Sequence, residues 1–116
     1  MGYQEFRTIS RPTVKQVQLA TCAHYGIRLS DMLSDSREWR IVTPRHVAIV
    51  LAHQMTMRTS NLIGREFKRH HSIIFHALDK IERNLPAYAD DIAAIKGALG
   101  EDAERMMVVA MREARA

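Results

Sequence analysis

The sequence has 116 residues, 47% of them hydrophobic and 26% charged; this is one ordinary domain, long enough to form a core, and wholesale disorder is excluded. Its net charge is +4, and the surplus lies between Ser36 and His71, where Arg37, Arg40, Arg45, Arg58, Arg65, Lys68 and Arg69 are opposed only by Glu38 and Glu66. A single cysteine, Cys22, excludes a disulfide framework or a cysteine-built zinc site within one chain and fits a reducing cytoplasm.

Residues 1–12 read as an N-terminal arm, with charge at Glu5, Arg7 and Arg11 and no apolar segment of the signal-peptide kind. Beyond it the periodicity is helical and no stretch alternates at period two, which predicts an all-α, compact bundle of about six helices. Over Thr13 to Tyr25, Val14, Val17, Thr21 and Tyr25 share a face, and Gly26 stops the helix. Leu29 to Leu33 reads as a short second helix. Ser34 to Val42, polar and arginine-bearing, reads as a loop anchored in the core by Trp39 and Ile41; for Trp39 the alternative is stacking on a sugar or base.

Thr43 then caps a third helix and Pro44 suits its first position, where a missing N–H costs nothing. Val47, Ala48, Leu51, Ala52 and Met55, widened by Ile49 and Val50, make this the central buried helix. Its apolar run, Val47 to Ala52, is far too short to cross a bilayer, so no membrane partner is expected. Thr59 or Ser60 caps a fourth helix ending near Phe67. A tight polar break at Lys68 to His70 leads into a fifth, from about His71 to Asn84, with Ile73, Ile74, Ala77, Leu78 and Ile81 inward and Ser72, Phe75, His76, Asp79 and Arg83 outward. Pro86 ends that helix, and a sixth follows through Tyr88, Ile92, Ile95 and Leu99, with a break at Gly100. The domain thus spans 13–100. Residues 101–116 form a helical extension whose Met106, Val109 and Ala110 offer surface for a homodimer; packing on the same domain or fraying is the alternative.

The central basic stretch, which also holds His46, His70 and His71, reads as a footprint for a polyanion, against a solvated surface with no partner. The fourth and fifth helices with a basic junction form a helix-turn-helix pattern, whose second helix enters the major groove by its N-terminal end. An ordinary helical hairpin with a polar turn is the competing reading. Six histidines raise the question of a metal, but no two stand at chelating helical spacing, so no metal or cofactor is expected. Cys22 reads as a buried small hydrophobe. No constellation supports an enzyme.

The run Ile63-Gly64-Arg65-Glu66-Phe67-Lys68-Arg69-His70-His71-Ser72-Ile73-Ile74-Phe75-His76-Ala77 resembles the signature of the C-terminal DNA-binding domain of the bacterial replication initiator DnaA. There the segment reads Ile-Gly, two variable residues, Phe, Gly-Gly-Arg-Asp-His-Thr-Thr-Val, and ends in His-Ala. Tyr25 to Ser34 is similar to that family's early helices, and Pro44 to Ala52 to its Pro-Arg-Gln helix; the likeness covers about Thr13 to Leu99. It implies a helix-turn-helix that binds double-stranded DNA sequence-specifically and regulates replication initiation or transcription, in the cytoplasm and nucleoid. The alternative is a protein-interaction module on the same fold that no longer binds DNA.

By position, the resemblance puts Arg37 in the minor groove; Arg40, in the same loop, can face the duplex backbone or its minor groove. It puts Arg45 on a phosphate at a helix start. Arg69, His71 and Ser72 fall at the major-groove contacts, flanked by Lys68 and His70. Three departures imply a preferred site different from the usual initiator box. The turn is one residue shorter, with Lys68 where glycines stand; His70 replaces an aspartate, whose acceptor geometry a histidine is not expected to reproduce; and Ile73 replaces a threonine, meeting either a thymine methyl or the core. No Gly-x-x-x-x-Gly-Lys-Ser/Thr loop occurs, so no ATPase activity is expected of the chain.

Overall fold

Thr13 and Gln16 begin the first helix by satisfying each other's backbone: Gln16 N–H donates to Thr13 Oγ1 at 3.1 Å and Thr13 N–H to Gln16 Oε1 at 2.9 Å. This helix, α1 (Val14–Tyr25), ends at Gly26, whose left-handed φ of 69° closes the C-terminus. The structure, a computed structural model, describes residues 11–115 and the side chains of 11–100. Five further helices follow among the described residues: α2 (Leu29–Met32), α3 (Trp39–Met55), α4 (Ser60–Glu66), α5 (Ile73–Arg83) and α6 (Leu85–Arg115). The bundle is all-α, as expected.

At the centre stands α3, packed against each of the other five helices. Val47, Ala48, Ile49, Leu51 and Ala52 are wholly buried, and Val50 nearly so. A side chain such as Leu51 or Ile49 contributes about 1.5–3 kcal/mol by leaving water. Val14, Val17 and Thr21 of α1, Ile63 of α4, Ile74, Ala77 and Ile81 of α5, and Ile95 and Leu99 of α6 close the core around it. Cys22 is buried, with its thiol 3.9 Å from Met32 Sδ. Two poles of the bundle are pinned: His24 on α1 meets Asp91 on α6 at 2.7 Å, and Phe67 plugs the end of α4 with no exposure.

Three boundaries differ from the sequence reading. The central helix begins at Trp39, so Thr43 does not cap it and Pro44 lies inside it, without an N–H for the turn before. Pro86 stands in the first turn of α6, where it fits, and α5 has already ended at Asn84. Gly100 does not break α6, which runs on to Arg115; one glycine in a helix interior costs only about 1 kcal/mol. The surface expected from Met106, Val109 and Ala110, and the structure of the arm before residue 11, lie outside the described residues.

Candidate nucleic-acid interface

The basic loop between α2 and α3 is organised by a buried guanidinium. Arg45 is 4% exposed, and it donates from Nε to the Met32 carbonyl (2.8 Å), from Nη1 to Ser36 (3.0 Å) and from Nη2 to Ser34 (2.8 Å). Burial, first, and the nearby charge of Arg69 push Arg45 below its ordinary range, with Asp35 opposing. The serines complete the loop: Ser34 Oγ donates to the Asp31 carbonyl at 2.6 Å, and the hydroxyls of Ser34 and Ser36 accept the N–H groups of Ser36 and Glu38. The expectation that Arg45 opens a helix and meets a phosphate is therefore corrected. It lies in the second turn of α3, and its donors are directed at three carbonyls of its own chain.

The same Ser34 carbonyl accepts a second guanidinium, Nη2 of Arg69 at 2.7 Å, while Arg69 Nη1 meets Asp35 at 3.2 Å. Loop and turn are thus one unit, joined across 35 residues of sequence. Asp35 is fully exposed, so its ion pair is a weak one.

After α4 the chain closes in a Schellman motif: Arg69 N–H donates to the Gly64 carbonyl at 2.8 Å and Lys68 N–H to that of Arg65 at 3.0 Å. Lys68 occupies the left-handed position, with φ 55°. That is the conformation glycine adopts freely, and here a lysine holds it in the place of the family pattern's glycines. The turn then presses on α4: a Cβ placed on Gly64 would meet the Arg69 carbonyl oxygen at 2.9 Å and the His71 backbone at 3.0 Å.

At the opening of α5, His70 Nδ1 accepts the Ser72 N–H at 3.2 Å and lies 2.9 Å from Ser72 Oγ. An aspartate two residues before a backbone N–H makes the same contact, so the expectation that a histidine cannot take that acceptor role is corrected. With Nδ1 accepting the backbone N–H, Nε2 is the ring's donor. His71 is exposed and its ring lies 4.0 Å from that of His70. Ile73 is half-buried against the core, so it belongs to the inward stripe.

The structure therefore brings Lys68, Arg69, His70, His71 and Ser72 together at one turn and ties to it the loop of Arg37, which leads into Arg40 in the first turn of α3. Arg37 and Arg40 are exposed, Arg40 paired with Glu38 at 2.9 Å. Two side chains depart from expectation. Trp39 is 82% exposed instead of anchoring the loop, while Ile41 is buried at 1%. His76 lies exposed on the outward face of α5, as its helical position predicts, and does not pack near the core as its place in the family pattern implies. Sequence reasoning also missed Asp35, the partner of Arg69, and the tight approach at Gly64, for which the Ile-Gly of the quoted signature was the one available signal. Among the described residues there is no cluster of histidine, cysteine and carboxylate ligands able to hold a metal. Nor does any described helix have the length and apolarity to cross a membrane.

His46, on α3, is half-buried. Burial, first, and then the charges of Lys80, Arg45 and His76 push its imidazole down from 6.5 to about 4. An unfolded chain takes up a proton there in that window and the folded one does not, so stability falls as pH drops from 6.5 towards 4. His46→Gln is expected to flatten this part of the stability–pH curve, read from urea midpoints at about pH 7 and about pH 5. An equally steep fall in the variant contradicts the assignment.

Comparison with known proteins matches residues 14–81 to the family described as bacterial DnaA protein helix-turn-helix. The chain is 40% identical to the chromosomal replication initiator protein DnaA of Cereibacter sphaeroides over 88 residues, covering 72% of this chain and 19% of that one. It is 40% identical to the DnaA of Sphingopyxis alaskensis over 93 residues, with 77% and 20% covered. To that of Caulobacter vibrioides it is 41% identical over 92 residues, with 71% and 19% covered. The chain thus spans about a fifth of the length of these relatives.

Proposed function

The chain belongs to the bacterial DnaA helix-turn-helix family, and from that premise we propose that it binds double-stranded DNA sequence-specifically, placing the start of α5 in the major groove and the α2–α3 loop on the neighbouring minor groove. One observation carries this reading: Arg45 and Arg69 converge on the Ser34 carbonyl. Loop and turn are held at a fixed spacing before any ligand arrives, and a duplex is a ligand with fixed groove spacing.

In this reading Arg37 enters the minor groove, and Arg40 and Lys68 meet phosphates. His71, Ser72 and the Nε2 donor of His70 face base edges. Arg69 exchanges the exposed Asp35 for the duplex while Nη2 keeps its bond to the loop. Arg45 acts only through the loop it holds. The role we assign is control of replication initiation or transcription by site occupancy at the nucleoid. The sequence contains no phosphate-binding loop, so this stretch supplies recognition and no ATP hydrolysis.

Selection from random duplexes with the purified chain tests this. A common motif is expected, distinct from the usual initiator box. Arg69→Ala should cost about 1–3 kcal/mol on the selected site and relax one base position. Lys68→Gln should weaken all sequences alike and lower the salt slope by about one unit. A uniform loss for Arg69→Ala makes it a framework residue, and failure to enrich any motif favours a protein-interaction module instead.

A further inference from the structure

Among the described residues five large hydrophobic side chains stand in solvent, and Trp39, 82% exposed, is the most open of them. It is also the only tryptophan in the sequence. Its exposure follows from the register of α3. Trp39 is the first residue of that helix, and at 100° per residue it points about 200° away from Ile41. Ile41 is buried at 1%, and Arg45, one turn further on, locks the helix to the loop through three carbonyls. No rotation of α3 can bury the indole without expelling Ile41 and breaking that clamp.

The surroundings say what the indole is for. Its chain neighbours Asp35, Arg37, Glu38 and Arg40 are all exposed and charged, which does not suit the centre of an apolar patch of the kind that another protein surface covers. Arg40 is paired with Glu38 at 2.9 Å, and Arg37 is the cation two residues before the indole. An exposed flat ring two residues from an exposed arginine matches the wall of a duplex groove, where deoxyribose faces alternate with phosphates. Resting on the reading of the chain as a duplex binder, we propose that Trp39 is a DNA-contacting residue that packs its indole on the deoxyribose wall beside Arg37. The contact supplies apolar area to an interface otherwise held by charge, and it releases no counterions.

The lone tryptophan makes the test direct. The full chain is titrated with a labelled duplex carrying a selected site, following label anisotropy and indole emission together. Saturation is expected to change the indole emission and shield it from acrylamide. Trp39→Ala is expected to weaken binding about tenfold, equivalent to about 1.4 kcal/mol, with the salt slope unchanged, and Trp39→Phe to recover most of the loss. Helical content of both variants is verified by circular dichroism. Unchanged emission and quencher access at anisotropy saturation overturn this proposal and leave DNA binding standing. No anisotropy change with any duplex overturns both. Shielding that appears without DNA and rises with protein concentration assigns the indole to a second copy and likewise overturns it.

Discussion

Arg45→Ala is expected to lower folding stability by about 2–5 kcal/mol, because a carbonyl left inside the fold without its donor costs about 1–3 kcal/mol. The carbonyls of Met32 and Ser36 lose this donor and that of Ser34 keeps only Arg69, and a hydrogen bond to a charged group contributes about 1.5–3 kcal/mol. A small domain has about 5–15 kcal/mol in all, so the loss is a large share of the total. Lysine has no planar fork and cannot span three carbonyls, so Arg45→Lys should recover only a small part. Urea unfolding of the two variants measures this. DNA affinity should fall with the loop's order, yet the salt slope should stay unchanged because no phosphate contact is removed. A loss below about 1 kcal/mol with a slope lowered by about one unit would put Arg45 on a phosphate after all.

Gly64→Ala is the second large effect. The added methyl meets the Arg69 carbonyl oxygen at 2.9 Å and the His71 backbone at 3.0 Å. Those atoms are main chain, so no side chain can swing aside. Either α4 and the turn separate, or the Arg69 N–H bond to the Gly64 carbonyl, 2.8 Å long, stretches. Overpacking of this kind costs about 1–3 kcal/mol. The larger consequence is for recognition: displacing the turn moves His70, His71 and Ser72 together, so the selected site should lose its advantage over scrambled duplex while weak non-specific binding persists. Competition between the two duplexes decides, and retained discrimination contradicts the placement of the turn at base edges.

Much of the fold was legible because burial and periodicity act locally. The stripe Val47, Ala48, Leu51 and Ala52 announced a buried helix whatever preceded it. The start of that helix was misread because Thr43-Pro44 imitates a cap and first turn; what decides instead is tertiary, the burial of Ile41 and the reach of Arg45 back to Met32. Trp39 was assigned inward on hydrophobicity alone, but the helical turn that buries Ile41 sends it out. His70 was judged by side-chain chemistry, as a poor substitute for a carboxylate, when its Nδ1 only has to accept one backbone N–H. The pairing of Arg69 with Ser34 and Asp35 joins segments distant in sequence, and no local pattern signals it.

The central claim, specific duplex recognition by a preassembled loop and turn, is tested most directly by one titration. The dissociation constant of the chain for its selected duplex and for a scrambled duplex is measured across salt, from about 50 to about 200 mM. The account predicts a steep, linear loss of affinity with log salt for both duplexes, nearly parallel, with the selected site tighter by about 10³-fold or more throughout. Salt-insensitive binding, or equal affinity for both duplexes at every salt concentration, would contradict it.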